Sequence, residues 1–160
     1  MTTQTPAQTS APVIPPVRLA VDELAPRINK AMNTLEAAVR QHTSLEPGLL
    51  DRVRARASQL NGCAYCVDMH SRDAIKGGDT QQRLFALPVW RETPFFTARE
   101  RAALELAEAG TRLTDGPVSD EVYAQAAAEF SETELAELIW AIAVINAWNR
   151  LGAVARPWAL

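Results

Sequence analysis

The chain has 160 residues, a hydrophobic content of 48% and a net charge of −3, with an isoelectric point near 5.4. This length is typical of one compact domain with a substantial core. Because there is no surplus of basic residues, we expect neither nucleic acid nor an anionic membrane as a partner. The longest apolar window, residues 138–155, is interrupted by Asn146, Asn149 and Arg150. It therefore predicts a buried helix and not a membrane span.

The N-terminal segment differs in composition from the rest of the chain. Residues 1–16 are rich in Thr, Ser, Ala and Pro and are expected to form a disordered, mobile tail ahead of a folded domain over residues 17–160. They lack the basic region and the apolar core of a secretory signal, so we expect a cytoplasmic protein. In a reducing compartment, a Cys-x-x-Cys pair is more often redox-active or metal-binding than structural.

Hydrophobic periodicity predicts an all-α fold of about six or seven helices, without an internal repeat. Apolar residues recur at helical spacing over residues 17–42, and Pro26 is expected to break or restart this first helix. A second helix is predicted from about Pro47 to Gln59, followed by a turn at Asn61-Gly62. The third opens at Cys63 and ends at residues 76–78, where a glycine can form a left-handed cap.

Two further helices are indicated by capping boxes. Thr97 and Glu100 form one such pair, and Ser131 and Glu134 form the other, each ahead of an apolar periodic run. A shorter helix is predicted over about residues 119–130. No stretch alternates with period two for long enough to predict a strand.

The chemically informative stretch is NGCAYCVDMHSRDA, residues 61–74, which holds both cysteines of the chain. A helix turns by about 100° per residue, so Cys63, Cys66 and His70 share one face. Cys66 and His70 are an i,i+4 pair, which places a nucleophile beside a base. Cys63, by contrast, lies at the helix start, where the helix dipole favours a thiolate. This argument would make Cys63, and not Cys66, the reactive sulfur. Both interpretations fit a dithiol cycle in which one sulfur attacks and the other resolves.

Two alternatives compete with a redox dithiol. The pair could be two small buried hydrophobic residues. It could also bind zinc, but a structural zinc site needs four ligands. Only His42, Asp51 and Asp68 are available to complete a set formed by the cysteines and His70. An isolated histidine such as His42 is more often a cap or a surface residue. We therefore expect no metal.

The run RASQLNGCAYCVDMHSRDA, residues 56–74, resembles the core motif of the alkylhydroperoxidase D-like branch of the carboxymuconolactone decarboxylase superfamily. The resemblance continues more loosely through residues 87–113 and 137–152. It implies an all-helical domain that assembles as a homo-oligomer, a trimer or hexamer. It also implies a thiol-dependent peroxidase that acts on a small hydroperoxide. We expect no bound organic cofactor, and the reductant would be a dithiol protein, either a lipoyl domain or a thioredoxin-like protein.

The resemblance also implies individual roles. Cys66 would attack the peroxide, and Cys63 would close the disulfide and face the reductant. His70 and an upstream carboxylate would relay protons. The family motif has Glu twelve residues before the first cysteine, whereas this chain has Asp51 there, one methylene shorter. The alternative interpretation of Asp51 is a charge near a helix start.

Two other functions remain open at this stage. The decarboxylase branch of the same superfamily catalyses cofactor-free loss of carbon dioxide from a muconolactone, but it generally lacks the Cys-x-x-Cys pair. A helical oligomer that senses or buffers thiol oxidation without fast turnover would use the same dithiol. Kinetics of peroxide consumption would separate such a sensor from an enzyme.

Overall fold

A computed structural model describes residues 13–159, and within this range the fold is all-α, as predicted, with no strand. Eight α-helices follow one another: α1 (Val21–Leu24), α2 (Pro26–Gln41), α3 (Pro47–Asn61), α4 (Ala64–Lys76), α5 (Gln81–Ala86), α6 (Ala98–Thr111), α7 (Asp120–Glu129) and α8 (Glu132–Ala155). Two 3-10 helices, Leu87–Glu92 and Leu113–Asp115, lie between them. Residues 1–12 of the expected tail lie outside the described range.

The helix boundaries follow the local signals in the sequence. Pro26 is the first residue of α2 and restarts the helix after the single turn of α1. Both capping boxes are present. The Thr97 hydroxyl accepts a hydrogen bond from the Glu100 backbone N–H, while the Glu100 carboxylate accepts one from the Thr97 N–H. Ser131 and Glu134 form the same arrangement at the start of α8.

Two details differ from the sequence-based expectation. Helix α5 was not predicted, because its six residues are too few to show a clear period. Cys63 is the N-cap of α4 and lies just outside its first turn. The left-handed glycine expected at residues 76–78 is present: it is Gly78, with φ of 95°, whereas Gly77 has φ of −76°.

Helix α3 is the central element and packs against α4, α6 and α8. It contributes Leu49, Leu50 and Val53 to the main core. Three arginines are also buried on this helix, Arg52, Arg54 and Arg56. Acidic side chains from other elements pair with all three: Arg52 contacts Asp79 and Glu100 at 2.6 Å, Arg54 contacts Glu36 at 3.3 Å, and Arg56 contacts Glu108 at 2.6 Å. These charge-assisted contacts hold the neighbouring elements in a fixed register on α3.

Helix α8 behaves as a core helix. Its mean hydropathy reaches 1.4 over 18 residues, so by length and composition it could cross a bilayer, contrary to the sequence-based expectation. Half of that window is buried in the fold, including Leu138, Ala141 and Ile145. The core helix of a globular protein passes the same composition test, and the prediction of a buried helix is confirmed for one face of α8.

Candidate redox site

The turn between α3 and α4 positions both cysteines. Gly62 has φ of 67°, a left-handed conformation that ends α3 and reverses the chain. The backbone N–H of Cys63 then donates to the Ser58 carbonyl at 3.1 Å. One turn further along the chain, the Cys66 N–H points at the Cys63 sulfur at 3.4 Å. Cys63 and Cys66 are joined by a disulfide with a Cα–Cα distance of 5.4 Å, and each residue is only 2% exposed.

A cluster of asparagines attaches this turn to α8. The Asn61 side-chain amide donates to the Oδ1 atoms of Asn146 and Asn149 at 2.9 and 3.0 Å. Asn149, which is fully buried, donates in turn to the Ser58 hydroxyl at 2.9 Å. From the sequence alone, Asn146 and Asn149 stand out only as interruptions of an apolar window. Two amides in such a window indicate hydrogen bonds to another element, because buried polar groups need partners.

Cys66 and His70 share the wall of a cavity of about 320 Å³. Its lining is divided between aromatic or apolar side chains and polar ones. The apolar side is formed by Tyr65, Met69, Ile145, Trp148 and Trp158, and the polar side by Asp22, Asn29, Asn33, Glu36 and Arg40. The cavity can thus hold an organic molecule with an apolar body beside the sulfur of Cys66.

Cys63 lines a second, smaller cleft of about 160 Å³. Tyr65 and Trp158 line both spaces, and their ring centroids are 5.0 Å apart. The Trp158 indole N–H donates to the Asp22 carboxylate at 3.2 Å, which ties the C-terminal segment to α1. The disulfide therefore lies between two cavities, with Cys66 facing the larger and Cys63 the smaller.

His70 is buried and electrically neutral. It is 2% exposed, and its Nδ1 atom has no hydrogen-bond partner among residues 13–159. Burial, and then the positive charges of Arg54 and Arg40, lower the pKa of His70 from 6.5 to about 3. At neutral pH the imidazole is unprotonated, and with so low a pKa it can carry a proton only briefly before passing it on.

Two carboxylates meet at His70. Asp51 comes from α3 and is 8% exposed, while Asp73 comes from α4; their oxygens and a His70 ring nitrogen all lie within 4.8 Å of one another. Burial raises the pKa of Asp51 above its usual 3.8, and the Asp73 charge raises it further, against the opposing effect of Arg54. The sequence analysis missed Asp73, although its i,i+3 spacing from His70 is a usable signal.

A divalent cation could in principle use this oxygen and nitrogen set. However, Arg54 is buried on α3, and its positive charge acts on both Asp51 and His70, which opposes cation binding. The ligand set weighed for zinc is not assembled. His42 lies in a groove beside Trp140, and Asp68 pairs with Arg72 on the surface. The chemistry of the site fits proton transfer better than metal binding.

The sequence of this helical domain matches a known family. The model of the carboxymuconolactone decarboxylase family matches residues 26–109. The chain belongs to this family, and within it to the alkylhydroperoxidase D-like branch.

Several individual proteins are similar to the chain. Uncharacterized protein YdfG of Bacillus subtilis is 38% identical over 134 residues, which cover 84% of this chain and 90% of the relative. A solved structure from Agrobacterium tumefaciens, described as a protein of unknown function and candidate antioxidant defence protein AhpD, is 34% identical with a TM-score of 0.86; the match covers 89% of this chain and 97% of that one. The debrominase Bmp8 shares the fold, with a TM-score of 0.76 and 22% identity over 84% of this chain and 72% of its own.

Proposed function

We propose that this protein is a thiol-dependent peroxidase that reduces small organic hydroperoxides through a dithiol/disulfide cycle. The observation that carries the proposal is the location of the Cys63–Cys66 disulfide between two cavities, with the neutral base His70 on the wall of the larger one. A dithiol with separate access to its two sulfurs can meet an oxidant on one side and a reductant on the other.

The proposed cycle has three steps: attack on the peroxide, disulfide formation and reduction. The Cys66 thiolate attacks the terminal peroxide oxygen, the O–O bond breaks, and Cys66 becomes a sulfenic acid while the alkoxide takes a proton and leaves as an alcohol. The Cys63 thiol then attacks the Cys66 sulfur, which forms the disulfide and releases water. A dithiol reductant returns two electrons and two protons by thiol–disulfide exchange at Cys63.

His70 and Asp51 are the proposed proton relay. The neutral imidazole accepts the Cys66 proton as the thiol attacks. Because burial raises the proton affinity of Asp51 and lowers that of His70, the proton passes on to the carboxylate. The Asp73 side chain is 33% exposed and lies within the same group of atoms, so it provides the next acceptor toward solvent.

The size and lining of the larger cavity support an organic substrate. A volume of about 320 Å³ far exceeds that of hydrogen peroxide, and the rings of Tyr65, Trp148 and Trp158 form part of the wall. Apolar contact with these rings would stabilise a hydroperoxide with an aryl or alkyl body. We therefore expect cumene hydroperoxide to react faster than hydrogen peroxide.

Access to Cys63 supports a reductant that reaches the smaller cleft. Its wall includes Gly62 and Ala153, which carry no side chain or only a methyl group and so narrow the cleft little. A lipoyl domain and a thioredoxin-like protein are the two proposed donors. A reducing compartment, such as the cytoplasm, would keep either donor in its dithiol form.

Homo-oligomerisation to a trimer or hexamer is also part of the proposal. Leu24, Ile28, Trp140 and Val154 are each more than half exposed, with Ile28 at 74%. Burial of such residues between subunits would remove apolar surface from water. Sedimentation velocity at micromolar concentration should show the oligomer, and a stable monomer would contradict it.

One experiment tests the central proposal. The reduced, desalted protein is mixed with one equivalent of cumene hydroperoxide under anaerobic conditions, and intact mass and free thiols are followed with time. We expect both thiols to disappear together, with loss of two hydrogens, and Cys66→Ser to abolish the reaction. Cys63→Ser should react once and stop at a sulfenic acid. The reverse pattern would overturn the assigned roles.

The same preparation separates the alternatives. Continuous peroxide consumption with a dithiol donor indicates an enzyme, whereas oxidation without turnover under all donors indicates a thiol sensor. If peroxide leaves both thiols free and a muconolactone is decarboxylated, the decarboxylase alternative replaces the proposal.

A further inference from the structure

Gly152 in α8 lies directly against the disulfide. A Cβ atom at this position would lie 2.5 Å from the Cys63 Sγ atom and 3.7 Å from the Cys66 Sγ atom. Real Cβ atoms essentially never approach another heavy atom more closely than 3.0 Å, so the first of these distances leaves no room for a methyl group. The second is an ordinary van der Waals contact. A side chain at 152 would therefore collide with one sulfur only.

The backbone gives no other reason for glycine here. Gly152 lies within α8, and it is not among the glycines with positive φ, which in the described range are Gly62, Gly78 and Gly116. Alanine stabilises a helix interior relative to glycine. Glycine at 152 thus weakens α8 locally, and the feature that it accommodates is the Cys63 sulfur.

The neighbouring helices cannot easily separate to relieve such a collision. Asn61, two residues before Cys63, is hydrogen-bonded to Asn149 of α8 at 3.0 Å, and Asn149 is bonded to Ser58 at 2.9 Å. These buried bonds fix the distance between the α3–α4 turn and the segment of α8 that carries Gly152.

We propose that Gly152 is a positioning residue for the oxidised state, because it leaves the space in which Cys63 closes onto Cys66. In the disulfide, the Cys63 sulfur is held by its bond to Cys66 and cannot avoid a methyl group at 152. In the dithiol, the same side chain is free to change its χ1 rotamer. A larger residue at 152 therefore disfavours the disulfide more than the dithiol. The biological meaning of this role rests on the proposed dithiol cycle. The effect of residue 152 on the disulfide equilibrium can be measured without assuming that cycle.

The test compares Gly152→Ala with Gly110→Ala in the full chain. Gly110 lies in α6, where a Cβ would be 3.2 Å from the Ile142 side chain of α8, so this control perturbs α8 packing away from the sulfurs. Both variants and the parent are equilibrated in glutathione redox buffers, trapped with maleimide and weighed. We expect the equilibrium constant for disulfide formation to fall about tenfold or more in Gly152→Ala. In Gly110→Ala it should stay within about twofold of the parent.

A second measurement follows the resolving step. After one equivalent of cumene hydroperoxide, dimedone should capture the Cys66 sulfenic acid in Gly152→Ala, because attack at Cys66 is retained while closure by Cys63 is slowed. If Gly152→Ala does not fold, the collision predicts that Cys63→Ala in the same chain restores folding, because the obstructing sulfur is removed.

The outcomes are separable. An unchanged equilibrium in Gly152→Ala, an equal shift in Gly110→Ala, or failure of Cys63→Ala to restore a misfolded Gly152→Ala would each overturn the assignment. A shifted glutathione equilibrium without any peroxide reaction in the parent would leave the role of Gly152 intact and would refute the peroxidase proposal instead.

Discussion

Asp51 and His70 have the reverse of their usual order of proton affinity. Burial raises the pKa of Asp51 above 3.8 and, with Arg54 and Arg40, lowers that of His70 to about 3. Burial disfavours the charged form of each group, so it moves an acid and a base in opposite directions. In the proposed relay, a proton that leaves Cys66 through His70 would therefore be held more strongly by Asp51 than by the imidazole.

The first prediction concerns the Asp51 carboxylate. Asp51→Ala should slow peroxide-driven oxidation of the dithiol by on the order of ten- to a hundredfold, because the carboxylate that takes the proton from His70 in the proposed relay is removed. Asp51→Glu restores the acid that the family motif has at this position and should react at the parent rate or faster. Stopped-flow tryptophan fluorescence across pH measures both. A rate for Asp51→Ala that equals the parent at every pH would reduce Asp51 to a charge near the start of α3.

The second prediction concerns Asp73. Its negative charge raises the pKa of Asp51. Asp73→Asn should therefore shift the Asp51-dependent limb of the pH–rate profile to lower pH and slow oxidation by a few-fold. Asp68→Asn is the matched control, because Asp68 lies on the same helix but pairs with Arg72 on the surface. Identical profiles for the two variants would remove Asp73 from the relay.

The third prediction is a dependence of stability on pH that originates in His70. The unfolded chain protonates this histidine near 6.5, whereas the folded protein does so only at about 3. Between these values the unfolded state binds the extra proton. His70 thus lowers the free energy of unfolding by up to about 1.4 kcal/mol per pH unit as the pH falls from 6.5 towards 3.

Urea denaturation of the oxidised protein at several pH values tests this dependence. His70→Gln should lose stability less steeply than the parent below pH 6.5, because the substituted side chain does not titrate. His42→Gln, which changes an exposed histidine, should keep the steep parental dependence. Parallel curves for all three proteins would show that His70 is not held neutral by burial.

The fourth prediction concerns the asparagine cluster. Asn149→Ala leaves the buried Ser58 hydroxyl without its donor and removes one acceptor from the part-buried Asn61 amide. We expect a loss of about 2 to 4 kcal/mol in the free energy of unfolding. Asn33→Ala, which removes only an exposed bond to the Asn29 carbonyl, should change stability by less than about 0.5 kcal/mol. Equal effects of the two substitutions would contradict a clamping role for Asn149.

The sequence alone determined the elements that depend on neighbours along the chain. The spacing of Cys63, Cys66 and His70 placed them on one side of a helix, because hydrogen bonding within a helix fixes about 3.6 residues per turn whatever surrounds it. The capping boxes and Pro26 marked helix starts for the same local reason. Helix α5 was missed because its six residues are too few to show a clear period, although the Thr80 N-cap is a local signal.

Only the tertiary structure decided what surrounds the dithiol. Asn149 and Gly152 are more than eighty residues from the α3–α4 turn in sequence, yet the first is bonded to Ser58 and the second lies against Cys63. The meeting of Asp51 with Asp73 similarly requires α3 to pack on α4 in one register. Periodicity shows which face of a helix is apolar but not which partner covers it. The burial that reverses the order of the Asp51 and His70 pKa values comes from that long-range packing.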